Sequence, residues 1–413
     1  MSILIYILFL GSYFAINYRK YGLNAASFLL GVYFLGSISG FIIVMNYDYF
    51  EIERIKWYAI LYHCVCLFLF LSPVVDFSNR YSHNFTIYMP NSTGLKMFTY
   101  ILIVFGLSAF FVNIPKLSQL LSVDDLSSAR SSYNYGTLYE DQNTGIMAYL
   151  AGIGSSLAYF SLFLFFYFLS HFPKKKLLIV LLLISSFADP LTSLSIVGRG
   201  GIVRWLLVFI FLFLFFKSKL PYGMKQKIMR YGLIISVPFI LIFSIITLSR
   251  FSDREYSVLF SILNYAGQSF VYFSYNFDQF FDSTFGGRMN FPIFFPNEQI
   301  SSQLNDMVYT DYYLNTFSTF VGSFYKDMGF YITLLIAVLY KLWSFFYFKM
   351  TKYPYVFPRI IVFLILAQIF LNGIFYFMYT GTTAVRTFLL VYILATITFF
   401  AFPSKKSDIS KVK

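Results

Sequence analysis

The 413-residue chain is 58% apolar and only 12% charged, whereas an ordinary soluble domain is about one quarter charged. A soluble fold of this size has no interior large enough for so much apolar surface, so lipid must be the solvent for most of it. The net charge of +13 is spread through short connectors, which argues against a nucleic-acid partner and for charge-directed membrane topology.

Runs of about 20 apolar residues, enough to cross a ~30 Å hydrocarbon core, predict an all-α polytopic integral membrane protein with about eleven transmembrane helices (10–12). They fall near 2–17, 23–45, 57–75, 97–114, 145–171, 177–197, 201–216, 231–248, 329–348, 359–379 and 384–402. Residues 1–248 thus hold eight spans. Residues 249–328 form a long extracytoplasmic loop with amphipathic or re-entrant helices, and 329–413 hold three spans and a basic cytoplasmic tail. The first run has no positive leader and no small-residue cleavage site, so it is expected to be a retained span.

The first four spans show little chemistry. Asp48, Glu51, Glu53, Arg54 and Lys56 make a solvated or headgroup-facing connector. Cys64 and Cys66 lie inside the third span, where small packing residues are expected. His63, His83 and His171 fall in a span or on the inner side, so no metal constellation is visible and no cofactor is expected. Pro115 to Thr144 forms a second outer loop carrying Asp124, Asp125, Arg130, Glu140 and Asp141, with a flexible surface loop as the default reading.

In the sixth span Asp189 precedes Pro190, which removes a backbone donor and kinks a helix. An ionisable group at this depth faces protein or a wet cavity, so Asp189 is either satisfied at the kink or lines a cavity. At the outer end of the span comes Gly198-Arg199-Gly200-Gly201, with Arg204 one turn into the next helix. Glycines beside an arginine allow close approach to a bulky anion, and a helix beginning near Gly201 adds its positive end. A short membrane turn needs glycine in any case.

Lys174–Lys176, the runs Lys217 to Arg230 and Lys349 to Arg359, and the tail from Lys405 mark the cytoplasmic face. On this topology the inner side holds 16 Lys and 4 Arg, and the outer side 3 Lys and 8 Arg. Positive-inside bias explains the lysines. The outer arginines match bidentate phosphate recognition instead.

The stretch 249–328 divides further. Residues 256–285 are half-apolar, interrupted by Asn264, Gln268, Ser269, Asn276 and Asp278, and are expected to lie on or dip into the outer leaflet. Gly286 to Pro296 is too rich in Gly and Pro for regular helix. Residues 297–328 return to helical composition, and Asn315-Thr316-Phe317 and Tyr325-Lys326-Asp327-Met328-Gly329 are expected to put polar groups at the membrane surface before the ninth span.

Three elements carry a family resemblance: SIVGRGGIVRWLLVFIF, Phe285-Gly286-Gly287-Arg288 with Pro292, and NTFSTFVGSFYKDMG. Together with a long outer loop after the eighth span, they resemble the Wzy-type oligosaccharide repeat-unit polymerases of O-antigen and capsule synthesis. The similarity covers roughly 150–400 in layout and three short elements in identity. It implies a metal-independent membrane glycosyltransferase of the GT-C kind in the bacterial cytoplasmic membrane, with its active site facing outward. Its donor and acceptor would both be undecaprenyl-pyrophosphate-linked oligosaccharide, and undecaprenyl pyrophosphate would leave. A chain-length regulator and a flippase are the further partners implied. The related ligases use an outer-loop histidine, which this chain lacks.

The residues fit such chemistry on their own account. A pyrophosphate leaving group needs positive charge where negative charge develops, and Arg199, Arg288, Arg250 and Arg254 are candidates, with Arg204 alongside. A hydroxyl acceptor must lose a proton, so a carboxylate is expected within reach: Asp278, Asp282 or Asp327. Tyr325 and Thr316 complete the expected substrate contacts. Arg199, Arg288, Asp327 and Asp278 form the expected catalytic set. A flippase or transporter of lipid-linked oligosaccharide and a ligase-type transferase are the alternatives.

Overall fold

The computed structural model describes residues 2–47, 50–82, 86–121, 145–230, 232, 237, 258–282, 285–295, 318–350, 355–379 and 382–403. Among them the chain is helical, with isolated bridges and no strand. The main helices are α1 (Leu4–Tyr21), α2 (Ala25–Asn46), α3 (Trp57–Ser82), α4 (Ser92–Leu121), α5 (Ile146–His171) and α6 (Lys176–Ser186). They continue as α7 (Ala188–Leu194), α8 (Gly200–Phe216), α9 (Val258–Tyr275), α10 (Thr319–Ser344), α11 (Phe357–Asn372) and α12 (Thr382–Ala401). Seven stretches among the described residues are long and apolar enough to cross a membrane, and α8 and α11 are shorter apolar helices. Large apolar side chains such as Val104, Phe111, Tyr331 and Phe400 stand exposed on these helices, as the outside of a membrane-embedded protein requires. The expected eighth span, 231–248, lies almost wholly outside the described residues.

Two compact units form. The first comprises Met1–Phe85, Leu259–Pro354 and Ile365–Val385, and the second Thr86–Val258, Tyr355–Leu364 and Arg386–Lys413.

In the first unit the half-apolar segment becomes α9, which packs into the bundle. Gly36-Ser37-Ile38-Ser39-Gly40 on α2 presents a small-residue face, and a Cβ added at Gly267 would fall inside the backbone of Ser39 and Gly40. Small residues at that spacing let helix backbones touch, which is how helices associate when water supplies no driving force. Phe270 and Val271 follow on the same helix, both 0% exposed. Phe270 meets Tyr6 and Tyr33 edge-on.

In the second unit the crossing of α4 and α5 is equally close. Gly154 has no room for a Cβ against the Phe105 carbonyl, nor Gly106 against Ser185. Ala109, Ala151, Ala158 and Ala188 fill the space around this crossing. Helix α4 runs on through Pro115 to Leu121, beyond the loop start expected from that proline; neighbouring groups in a membrane bundle can absorb the lost backbone donor. The remaining outer loop, 122–144, lies outside the described residues. Just before Asp189-Pro190 the expected kink is a one-residue interruption at Phe187, with α6 ending at Ser186 and α7 beginning at Ala188.

Candidate functional site

The most developed polar site is in the first unit, at the start of α10. The helix is interrupted at Gly329, whose φ of 73° is non-helical, so it is two helices. Residues 319–329 are all buried, and the segment after them turns apolar side chains outward. A buried helix ten residues long must find partners for the unpaired groups at both ends. At its N-terminus the Ser318 and Thr319 amides both donate to the Phe375 carbonyl at 3.0 Å, and that of Phe320 donates to Gly373 at 2.8 Å. At its C-terminus the Asp327 carbonyl accepts from the Phe285 and Gly286 amides, both at 3.0 Å.

The Asp327 side chain organises the segment Phe285 to Asn290. Gly286 and Gly287 adopt φ of 59° and 95°, a left-handed region that favours glycine, and the turn they make converges its amides into an anion-binding concavity. The anion in it is the protein's own. Asp327 Oδ1 accepts from the amides of Gly287 (3.0 Å) and Met289 (3.4 Å), and Oδ2 from the Asn290 amide (2.8 Å) and side-chain Nδ2 (2.9 Å). Asn290 Nδ2 also donates to the Ser323 carbonyl at 2.8 Å. Arg288 is carried exposed on this pinned loop, and Phe291 stacks on Phe324 behind it.

Several expectations change here. Tyr325-Lys326-Asp327 does not sit at a surface: Tyr325 and Lys326 are almost fully buried and Asp327 is 0% exposed. With four donors on its two oxygens, Asp327 has its acceptor capacity filled by the loop that carries Arg288. Tyr325 donates to the Phe277 carbonyl at 2.9 Å and stacks on the Phe277 ring. Its hydroxyl and its ring are thus both engaged within the fold. Asp278 and Asp282 are exposed. Asp278 receives the Tyr58 hydroxyl on both oxygens, at 3.0 and 3.1 Å, and it keeps room for a further donor.

The structure also joins groups that sequence reasoning left unassigned. His63 is 0% exposed. Its Nδ1 pairs with the Tyr6 hydroxyl at 2.6 Å and its Nε2 with Thr319 Oγ1 at 2.9 Å. Thr319 holds a φ of 61°, a conformation a β-branched residue adopts only when its surroundings impose it. The available signal was an ionisable ring inside an apolar span; for Asn290 it was an amide side chain three residues after a Gly-Gly turn.

The second unit holds the other expected elements. Helix α8 starts at Gly200, as the glycine pattern anticipates, with Arg199 immediately before it and 7% exposed. Ser193 ties the turn: its hydroxyl donates to the Gly198 carbonyl at 2.9 Å and accepts the Gly201 amide at 3.0 Å. A Cβ on Gly201 would stand 2.8 Å from the Asp189 carbonyl oxygen, and one on Gly200 3.0 Å from Arg204 Nη1, so these glycines serve close packing. Arg204 does not stand open to a ligand as expected. Its Nε and Nη2 grip the Asp189 carboxylate at 3.1 and 2.8 Å, and Tyr159 donates to Asp189 Oδ2 at 2.6 Å. The two charged side chains are 16% and 13% exposed, and at that depth a bidentate pair is the arrangement that offsets their desolvation. Of the two readings of Asp189, the satisfied one holds.

Arg250, Arg254 and Thr316 lie outside the described residues. Arg199 and Arg204 belong to the second unit, and Arg288, Asp327, Asp278, Asp282 and Tyr325 to the first. No protein-family model, curated protein or solved structure matches the chain.

Proposed function

We propose that the protein is a membrane glycosyltransferase that polymerises undecaprenyl-pyrophosphate-linked oligosaccharide units into O-antigen or capsular polysaccharide, releasing undecaprenyl pyrophosphate. It works in a bacterial cytoplasmic membrane with its site on the outer side. The seven long apolar stretches, α1, α8, α11 and the run 231–248 make up its eleven spans. The observation that carries this reading is the loop of Arg288: a permanent cation held exposed on a backbone locked to a buried carboxylate. Positive charge carried on a fixed backbone is what a departing pyrophosphate needs as its charge develops. The three resembling sequence elements and the excess of arginine over lysine on the expected outer side support the same reading.

In this mechanism Arg288 stabilises the leaving pyrophosphate. Asp278 takes the proton of the acceptor hydroxyl, in place of Asp327. Asp327 acts through Arg288 as a positioning residue, and Arg204 acts through the Asp189 pair that braces the start of α8.

The test is reconstitution of the purified chain with carrier-linked repeat units and no nucleotide. A ladder of lengthened glycans is expected, and Arg288→Ala should abolish it while the protein stays inserted and single units still reach the outer side. Flipping of units without any ladder would replace the polymerase reading with the transporter alternative. Long chains made by the Arg288 variant would remove the phosphate-binding assignment.

A further inference from the structure

The first unit contains a second charged feature, away from the Arg288 loop. Where the last turns of α3 meet the end of α10 there is a cleft of about 160 Å³, in the size range of a ~150 Å³ cavity that admits a benzene-sized molecule. Arg80 and Asp76 line it from α3, Lys341 and Lys349 from α10 and the π turn Phe345–Lys349 that follows, and Phe345 and Phe348 between them. It therefore holds three cations against one carboxylate.

Those cations are only partly occupied. Arg80 donates from Nε to the Asp76 carbonyl at 3.3 Å and from Nη1 to the Phe348 carbonyl at 3.5 Å, which uses two of its five donors. Lys341 spends one donor on Ser72 Oγ. The Lys349 ammonium lies over the Phe345 ring, 5.0 Å from its centroid. Among the described residues no carboxylate oxygen comes within 4.0 Å of any of the three. Both helices end here, and their C-terminal carbonyls favour cations at these positions.

The surroundings distinguish what such a cleft would hold. Immediately beside it Leu342, Phe345, Phe346 and Met350 are exposed, so the lipid-facing side of α10 runs directly into the charged groups. Lys349 also opens the basic run that marks the cytoplasmic side. A cationic cleft between membrane helices, with an apolar flank and at the level where the helices end, fits a phosphate that arrives attached to acyl chains.

We propose that this cleft binds the phosphate of an anionic phospholipid of the inner leaflet, with Arg80, Lys341 and Lys349 as its donors and Asp76 setting a limit on the charge it accepts. The site is independent of the glycan chemistry proposed above.

The test uses the full chain in neutral detergent, incubated with dioleoylphosphatidylglycerol or dioleoylphosphatidylcholine and freed of excess lipid, with retained lipid counted by native mass spectrometry. Wild type should retain phosphatidylglycerol and not phosphatidylcholine. At about fivefold per neutralised cation, Lys349→Gln should weaken retention about fivefold and Arg80→Gln with Lys349→Gln about 25-fold. Lys217→Gln with Lys225→Gln, basic residues outside the cleft, should leave it unchanged. Equal retention by wild type and the cleft variants would overturn the assignment. Displacement of the lipid by millimolar inorganic phosphate would overturn its lipid part and assign the cleft to a free anion. Lys349→Gln keeps the test valid if the double variant fails to fold, because the Lys349 ammonium only overlies an aromatic ring.

Discussion

Asp327→Asn separates a carboxylate that holds a loop from one that takes a proton. Asparagine has the same shape, and its oxygen can keep the Gly287 and Met289 amides now on Oδ1. Its amide nitrogen would then face the two donors of Asn290 that Oδ2 now accepts. Two bonds to a charged acceptor are lost, each contributing about 1.5–3 kcal/mol, or about 3–6 kcal/mol together. The segment 285–290 can relieve the conflict by opening toward solvent, so the cost should appear as local opening and leave the bundle folded. At about 1.4 kcal/mol per factor of ten, amide protection in a peptide spanning 285–291 should fall by roughly 10²- to 10⁴-fold in hydrogen exchange followed by mass spectrometry. Under the proposed function glycan polymerisation should fall with it, because the backbone that carries Arg288 loses its fixed position. Unchanged protection would refute the pinning argument. Lost polymerisation with unchanged protection would return Asp327 to the role of base.

Two further perturbations probe the packing. Arg204→Leu leaves the Asp189 carboxylate buried with the Tyr159 hydroxyl as its remaining donor among the described residues and should cost about 3–5 kcal/mol, while Arg204→Leu with Asp189→Leu should recover much of that loss, read as the thermal unfolding midpoint in detergent. Gly267→Ala, where a Cβ meets the backbone of Gly40, should destabilise by about 1–3 kcal/mol. Gly152→Ala, with nothing within 4 Å of its Cβ in the middle of α5, should raise the midpoint through the ~1 kcal/mol helix preference of alanine; equal effects from the two alanines would show that the α2–α9 crossing is not tight.

The helices were largely legible because hydropathy is local: a run such as 145–171 demands a helix in lipid wherever its neighbours lie. The interruption just before Asp189-Pro190 and the irregular segment after Gly286 were legible for a similar reason, since Pro and Gly limit their own backbone. The site was less legible. Asp327, Tyr325 and Arg204 looked like surface or ligand groups because sequence shows the polarity of a side chain and not its partner. Each proved to be committed to another part of the chain: Asp327 to amides some 40 positions earlier, Tyr325 to a carbonyl at Phe277, and Arg204 to Asp189 across a helix break. Within the segment 256–285, expected to lie on or dip into the outer leaflet, α9 packs closely on α2 where Gly267 meets Ser39 and Gly40, a pairing separated by more than 200 residues.

By itself, then, the sequence determined the solvent and most of the helices, since these follow from transfer free energy and backbone freedom over a few residues. Tertiary structure alone decided which helices touch and which charges are spent internally. Those depend on donors, acceptors and missing side chains meeting across long separations, and only the folded chain brings them within 3 Å.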